Sequence, residues 1–277
     1  SAKGEVFNLY GGEITGNTVA YGGAGVNVGS VAYNGVAEDG CTFNMYGGAI
    51  TGNTVSSERN SGGGVSLGTY SKFNLYAGVI KNNSSTYYGG GVSVAHESEF
   101  VMSGGEISEN AAVYGGGVST SLGALKGLDP SSFTMTGGTI TKNTASQGGG
   151  VYHGSETFKV SGDATITENT ANGKTDNVYL RTNDGKSATI AIDGELTGEI
   201  GVTKKFTTKE TVYVATGADE ETNYTDIIVS DNDTYKVAHD STDGTKLVLV
   251  ENTPAPTEEH KHCIRGETHT NDGDHTS

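Results

Sequence analysis

Four residues near the C-terminus carry side chains that bind transition metals. His260, His262, Cys263 and His269 lie within a stretch of ten residues, and imidazole and thiolate are ligands that Zn²⁺ prefers. Their spacing differs from that of closed structural zinc sites. Two interpretations stay open, a weak zinc site and a disordered linker. No motif specific for calcium or zinc occurs in the sequence, so no cofactor is predicted.

Six tyrosines in repeated sequence surroundings are candidates for carbohydrate binding: Tyr10, Tyr46, Tyr76, Tyr87, Tyr88 and Tyr114. The first three follow a repeated asparagine by two residues, and the other three come shortly before runs of glycine. Rows of exposed rings could contact sugars. Aromatic residues on the outer face of a sheet also stabilise it by cross-strand contact, so a purely structural role is the alternative.

Polysaccharide cleavage would require acidic residues in a particular arrangement. A lyase needs an acidic calcium site and a base, and a hydrolase needs two carboxyl groups at a suitable separation. The repeated segments do not supply such a set. Where charges recur, at Glu109, Lys142 and Glu168, they alternate in sign, which is typical of a structural charge ladder. We therefore predict a non-catalytic protein and keep a polysaccharide-active enzyme as the alternative.

An internal repeat positions these residues. Six of the seven phenylalanines begin near-copies of one phrase: FNLYGGEITGN from Phe7, FNMYGGAITGN from Phe43, FNLYAGVIKNN from Phe73, FVMSGGEISEN from Phe100, FTMTGGTITKN from Phe133 and FKVSGDATITEN from Phe158. A second signature follows each of the first five phrases: GGAGVNV at Gly22, GGGVSL at Gly62, GGGVSV at Gly89, GGGVST at Gly115 and GGGVYH at Gly148. Self-similarity at this period is the signature of a repeat architecture.

The side-chain pattern within each repeat predicts three short strands. Phe7 and Leu9 alternate with polar residues, an isolated Ile14 follows a glycine corner, and Val26 and Val28 alternate again. No segment shows helical periodicity. We predict an all-β fold, a parallel β-helix of about six regular three-strand coils, right-handed because strand crossovers have that chirality.

One asparagine per coil is predicted to form a hydrogen-bonded ladder. Each stands three residues after the repeated isoleucine, at a corner where an amide can bond along the stack and satisfy backbone groups. The predicted ladder contains Asn17, Asn53, Asn83, Asn110, Asn143 and Asn169. His153 falls in an inward column and is expected to be a hydrogen-bonded core residue or part of a turn.

Composition excludes some classes of partner. The 277 residues include 44 glycines, which suits a fold with many tight corners, and carry a net charge of −16, which repels phosphate backbones. We therefore expect no nucleic-acid binding. No stretch has the roughly 20 apolar residues of a membrane-spanning helix.

The repeat pattern ends before the C-terminus, which predicts three segments. Residues 1–203 should form the β-helix, 204–251 a C-terminal β cap that covers the open end, and 252–277 a linker with the His/Cys-containing tail. Within the cap, four strands are predicted at 211–215, 225–229, 235–238 and 246–250, and the Asp243-Gly244 pair predicts a hairpin between the last two.

The literal GGAI at Gly47 to Ile50, and the IxxNT phrases followed by GGG, carry a resemblance to known proteins. Residues 4 to 200 resemble right-handed β-helix repeat proteins, with the pectate-lyase-like fold, of bacterial cell surfaces. These include adhesin-like proteins of Gram-positive gut bacteria and polymorphic outer-membrane adhesins. The tail resembles Cys/His-containing linker modules of such proteins, with Arg265 where a second cysteine is common.

The resemblance implies a secreted or surface-displayed segment of a longer multidomain polypeptide. It further implies an adhesin or stalk that binds glycan or a host or bacterial surface protein. Because fold does not determine function, enzymes share this scaffold too. Specificity on a repeat scaffold usually lies in insertions, so the long loops Gly29 to Thr42 and Ser121 to Ser132, which leave the same corner, are the preferred recognition surface.

Overall fold

The computed structural model is an all-β solenoid. It describes residues 4–29, 40–56, 62–120, 129–154, 157–183, 186–205, 210–219 and 221–253. Its coils stack in parallel over about 5 turns. The prediction of a parallel β-helix is confirmed.

The strands are short and follow one another closely. Those of the N-terminal half are β1 (Val6–Leu9), β2 (Glu13–Thr15), β3 (Thr18–Val19), β4 (Val26–Val28), β5 (Thr42–Met45), β6 (Ala49–Thr51), β7 (Thr54–Val55), β8 (Val65–Leu67), β9 (Lys72–Leu75), β10 (Val79–Lys81), β11 (Ser84–Ser85), β12 (Val92–Val94), β13 (Glu99–Ser108) and β14 (Val118–Thr120). Those of the C-terminal half are β15 (Ser132–Thr141), β16 (Thr144–Ala145), β17 (Val151–His153), β18 (Thr157–Gly162), β19 (Thr165–Thr167), β20 (Thr170–Ala171), β21 (Lys174–Thr175), β22 (Val178–Leu180), β23 (Thr182–Asn183), β24 (Lys186–Ser187), β25 (Ile190–Leu196), β26 (Ile200–Thr203), β27 (Tyr213–Thr216), β28 (Ile228–Ser230), β29 (Tyr235–His239) and β30 (Lys246–Glu251), with a 3₁₀ turn at Tyr224–Asp226.

Equivalent strands of successive coils pair in parallel, with equivalent residues in register. In the first column of strands, β1, β5, β9, β13, β15 and β18 place phenylalanine on phenylalanine. In the second column, β2, β6, β10, β13, β15 and β19 place isoleucine on isoleucine. In the third, β4, β8, β12, β14, β17 and β22 align the Val-x-Val segments. Each coil therefore serves as the template for the next.

The core is a narrow column of stacked side chains. Neighbouring phenylalanine rings lie 4.6 to 5.3 Å apart and are nearly parallel. From Phe43 to Phe158 these rings are buried, whereas Phe7 of the first coil is half exposed. Ring separations near the 4.8 Å strand spacing follow from the parallel register, and burial of each ring contributes roughly 2–3 kcal/mol.

The coils differ from the predicted three strands in two respects. A further two-residue strand follows the corner asparagine, as at Thr18–Val19 and Thr54–Val55, and pairs with its counterpart in the next coil. In two coils the first and second strands merge into the ten-residue strands Glu99–Ser108 and Ser132–Thr141. A strand of two residues is too short to show a side-chain period in the sequence.

The glycine runs are required by close packing between coils. A Cβ atom on Gly64 would lie 2.7 Å from the Gly91 carbonyl oxygen and 2.9 Å from Cγ2 of Ile80. Only glycine avoids these contacts without a shift of the backbone. The run therefore lets the corner of one coil lie directly against the next.

The predicted asparagine ladder is confirmed by its hydrogen bonds. The backbone N–H and the Nδ2 of Asn83 donate to Oδ1 of Asn110 at 2.9 and 3.0 Å, and Asn110 donates in the same way to Asn143. From Asn53 to Asn169, each Nδ2 also donates to an isoleucine carbonyl of the preceding coil, as Asn110 does to Ile80 at 2.9 Å. These buried amides therefore bond to both neighbouring coils.

The residue before each ladder asparagine adopts a left-handed backbone conformation. The φ values at this position are 70° for Gly16, 55° for Asn82, 54° for Glu109, 58° for Lys142 and 59° for Glu168. Charged side chains at these positions take part in ion pairs between coils: the Lys142 Nζ lies 3.9 Å from a Glu168 carboxylate oxygen, and a Glu109 carboxylate oxygen lies 3.1 Å from Nζ of Lys81, the last residue of β10. The alternating charges are thus part of the outer surface of the corner.

The C-terminal end is covered by antiparallel strands. Tyr213–Thr216 and Ile228–Ser230 still continue the parallel columns, by pairing with β25 and β26. The chain then forms the predicted hairpin, in which Tyr235–His239 pairs antiparallel with Lys246–Glu251. The latter strand also pairs antiparallel with β27, which closes the edge of the first column.

Candidate functional site

Tyr10, Tyr46 and Tyr76 form a stack on the outer face of the first column of strands; we call these three residues the tyrosine stack. Their ring centroids lie 5.0 and 4.7 Å apart, with interplanar angles of 9° and 6°. The three residues, each taken as a whole, are 74%, 42% and 43% exposed. The predicted outward row is present, and its role in binding stays a prediction.

A row of amides runs beside the tyrosine stack. Nδ2 of Asn44 donates to Oδ1 of Asn8 at 2.9 Å, and Nδ2 of Asn74 donates to Oδ1 of Asn44 at 2.8 Å. The asparagines belong to strands paired in register, and each tyrosine directly follows its strand, where the Tyr46 and Tyr76 N–H groups donate to the Leu9 and Met45 carbonyls, so the spacing of both rows repeats that of the sheet. Phenolic hydroxyl and amide groups are therefore presented side by side at regular intervals.

The geometry of the tyrosine stack determines which ring surfaces a ligand can reach. Both faces of Tyr46 are covered by neighbouring rings, so Tyr46 presents its edge and hydroxyl. Tyr10 is stacked only on Tyr46, and its other face points away from the stack. Beyond Tyr76, the equivalent position in the next coil is Ser103, a much smaller residue. On the surface formed by the described residues, a sugar ring can therefore contact the two end faces and the row of hydroxyls.

A second group of aromatic residues lies beside the glycine corners and extends onto the outer face of the third column. Tyr87, Tyr88 and Tyr114, predicted from the sequence, are joined by Tyr152 and Tyr179; we call these five residues the tyrosine cluster. Tyr87 stands nearly perpendicular to Tyr88, at 89° and 4.5 Å, and lies 5.2 Å from Tyr114. Tyr114 contacts Tyr152 at 5.0 Å, and Tyr152 stacks on Tyr179 at 5.6 Å.

The hydroxyls of Tyr88, Tyr152 and Tyr179 stay protonated at neutral pH. Burial raises the pKa of Tyr88 and of Tyr152 to about 12, and burial also raises the pKa of Tyr179. Protonated phenols can both donate and accept hydrogen bonds. Unlike the parallel tyrosine stack, the cluster has rings at several angles, so ring faces as well as hydroxyls point in different directions.

Sequence reasoning missed Tyr152 and Tyr179 because their position holds serine in the preceding coils, at Ser66, Ser93 and Ser119. The aligned GGGVYH and NVYL segments contain the signal, a tyrosine in place of the outward serine.

His153 is a buried residue that cannot act as an acid or base near neutral pH. Its Nδ1 lies 3.2 Å from the Thr120 hydroxyl oxygen, and its ring packs 5.5 Å from Phe158. Burial, and next the nearby charge of Lys204, lower the pKa of His153 to about 3. Of the two expected roles, the structure shows the core histidine.

An acidic cleft lies at the C-terminal end of the asparagine ladder. It encloses about 510 Å³ and is lined in part by Glu168, Glu199, Asp231 and Asp233. Asp231 has a structural role there, because its carboxylate accepts hydrogen bonds from the N–H and Nδ2 of Asn177 at 2.7 and 2.6 Å. It also accepts the Thr203 hydroxyl hydrogen bond at 2.9 Å.

Asp231 therefore terminates the ladder, since Asn169 donates to Oδ1 of Asn177 in the same pattern as earlier members. Both Asn177 and Asp231 were missed by sequence reasoning. Asn177 lies in a degenerate copy of the second signature. Asp231, which accepts its hydrogen bond, lies 54 residues further along the chain, in a segment without the repeat.

The predicted metal ligands His260, His262, Cys263 and His269 lie outside the described residues, as do 30–39 and 121–128 of the two long loops. In the described ranges, no group of three or more His, Cys, Asp or Glu side chains is arranged to hold a metal ion. The other cysteine, Cys41, has its Sγ 3.4 Å from the Gly29 carbonyl oxygen. Zinc binding by the tail stays a prediction.

Among the described residues there is no helix with the length and apolar character needed to cross a membrane. Comparison with known proteins found no family, no curated protein and no solved structure that matches this chain.

Proposed function

We propose that this protein is a non-catalytic, surface-displayed adhesin or stalk segment that binds glycan or a host or partner protein. The observation that carries the proposal is the tyrosine stack with its parallel row of amides on the outside of a rigid solenoid. Tyrosine supplies large contact area, a hydroxyl and little rotamer entropy, which is why it is favoured at recognition surfaces.

The rigidity of the scaffold supports a binding role. The asparagine row lies in strands paired in register, and the tyrosine row is held by ring stacking and by backbone hydrogen bonds directly after these strands, so little side-chain or backbone freedom is lost when a ligand docks. Because the tyrosines and asparagines repeat at the strand spacing, an extended ligand can make several equivalent contacts. Several weak contacts made together give a higher avidity than any one of them. A long polysaccharide or an extended surface protein fits such a row.

Display on a bacterial surface is the setting that we propose from the resemblance to β-helix surface proteins. The protein would be secreted or attached to the cell as part of a longer multidomain polypeptide. A net charge of −16 favours neutral or weakly charged partners over polyanions.

A polysaccharide-active enzyme is the alternative, and the acidic cleft is the observation that favours it. Two of its carboxylates already have structural partners. Asp231 terminates the ladder, and Oε2 of Glu168 lies 3.9 Å from Nζ of Lys142. For this reason we rank the enzyme below the adhesin.

A glycan and mucin array tests the proposal. The wild-type protein is compared with a variant in which Tyr10, Tyr46 and Tyr76 are changed to alanine. A matched control carries Thr15→Ala, Thr51→Ala and Thr141→Ala, three outward residues of the second column of strands. We expect binding that the tyrosine variant loses and the threonine variant keeps, with unchanged circular dichroism. Equal binding by all three proteins would refute a role for the tyrosine stack.

A further inference from the structure

Arg181 stands at one end of the tyrosine cluster. Tyr179 lies on the outer face of β22, Leu180 after it is buried in the core, and Arg181 directly follows the end of this strand at a partly exposed position. The backbone N–H of Arg181 donates to the His153 carbonyl at 3.1 Å, which holds this position in the stack independently of the side chain.

The positive charge of Arg181 acts on the rings of the tyrosine cluster. Burial raises the pKa values of Tyr88, Tyr152 and Tyr179, and the Arg181 guanidinium opposes that rise at all three. The five rings form a continuous chain of contacts from Tyr87 to Tyr179. Arg181 is thus part of the same surface as the rings.

The guanidinium has no carboxylate partner among the residues that the structure describes. Every ion pair found in those ranges uses a lysine, at Lys72, Lys81, Lys142, Lys159 and Lys246. Asp176 is close enough to influence Tyr179, but it is only 6% exposed, and its Oδ2 accepts the Gly148 N–H at 2.9 Å.

We propose that the tyrosine cluster and Arg181 form a binding site for a sugar that carries a single carboxylate, such as a sialic or uronic acid at the end of a neutral glycan. This inference rests on the proposed glycan-binding function and names the class of glycan. The planar guanidinium matches a carboxylate with two parallel hydrogen bonds. The tyrosine hydroxyls and ring faces serve the neutral part of the sugar.

The charge of the whole molecule sets the number of acidic groups. One arginine compensates one carboxylate, whereas a polyanion such as heparin would bring further charges against an acidic surface. The site therefore favours ligands that carry one negative charge over polyanions.

The test compares acidic sugars with their uncharged esters. Binding of sialyllactose, of a glucuronic-acid-terminated disaccharide and of the methyl ester of each is measured by calorimetry with the full chain, with lactose and heparin as further probes. The variants are Arg181→Gln, Arg181→Lys and, as a control that also removes one positive charge, Lys236→Gln on an exposed position of β29. Circular dichroism and thermal unfolding check that each variant folds.

We expect at least one acidic sugar to bind about tenfold or more tightly than its ester, since a hydrogen bond to a charged group has this worth. Arg181→Gln should abolish that difference, Arg181→Lys should reduce it, and Lys236→Gln should retain it. Equal binding of acid and ester, or an acid preference that survives in Arg181→Gln, would overturn this inference and leave the glycan-binding proposal standing. If no glycan on the array or in solution binds, both fail.

Discussion

Removal of one buried ladder asparagine should destabilise the protein far more than removal of the exposed one at its N-terminal end. The change is Asn110→Ala. Oδ1 of Asn110 accepts two hydrogen bonds from Asn83, and its Nδ2 donates to the Ile80 carbonyl and to Asn143 Oδ1. Alanine would leave the Asn83 N–H without its partner in an interior with no access to solvent.

The expected cost follows from these contacts. A buried donor left without a partner costs about 1–3 kcal/mol, and the remaining lost bonds contribute about 1 kcal/mol each. We therefore expect Asn110→Ala to lower the free energy of unfolding by about 4–6 kcal/mol. Asn17→Ala removes the same side chain from an exposed position, where water replaces its Nδ2 bond to Asn53. That change should cost about 1 kcal/mol or less.

Urea unfolding followed by far-ultraviolet circular dichroism measures both effects. Midpoint and slope are compared among the wild type, Asn110→Ala and Asn17→Ala, because a change of slope would report a loss of cooperativity. If the two variants differ by less than about 1 kcal/mol, the ladder does not stabilise the stack in the way its hydrogen bonds indicate.

Two further predictions concern stability. Burial raises the pKa of Asp176 to about 6, so between about pH 4 and 6 the folded state holds more protons than the unfolded state, and this group's contribution to stability falls as pH rises. The stability of Asp176→Asn relative to wild type should therefore increase by up to about 3 kcal/mol over that range, and a difference independent of pH in urea titrations would contradict this. Lys142 has a φ of 58°, a left-handed conformation that glycine adopts more readily than residues with a Cβ atom. Lys142→Gly should therefore raise the free energy of unfolding by about 0.5–1 kcal/mol, and Lys142→Val should lower it. If Lys142→Gly lowers the free energy of unfolding, the backbone at this position is not strained.

The sequence was sufficient to predict those parts of the fold that recur in every coil. Phenylalanine and isoleucine columns and the asparagine ladder each repeat one residue type at one position, so parallel stacking in register is the only arrangement that buries them together. The C-terminal hairpin was also predictable, because Asp243-Gly244 separates two alternating segments.

The parts that escaped prediction lack a repeated signal. Asp231 replaces an asparagine of the ladder from a segment outside the repeat, and only the folded chain brings it to Asn177. Tyr152 and Tyr179 stand where the preceding coils have serine, so the sequence gives no reason to group them with other tyrosines. In the structure Tyr152 contacts Tyr114, and Tyr179 stacks on Tyr152. The members of the tyrosine cluster that the sequence did not predict are thus exceptions to the repeat.

The central claim is that the protein binds glycan without cleaving it. The most direct test is to let the protein bind one glycan, recover that glycan and measure its length. A fluorescently labelled glycan that scores on the array is incubated with the protein for a day, captured with it, released and sized by chromatography. The account predicts a captured glycan of unchanged length and no new reducing or unsaturated ends. A shortened or unsaturated product would show that the protein is an enzyme. If the wild type captures no more glycan than the variant lacking Tyr10, Tyr46 and Tyr76, the tyrosine stack is not the binding surface.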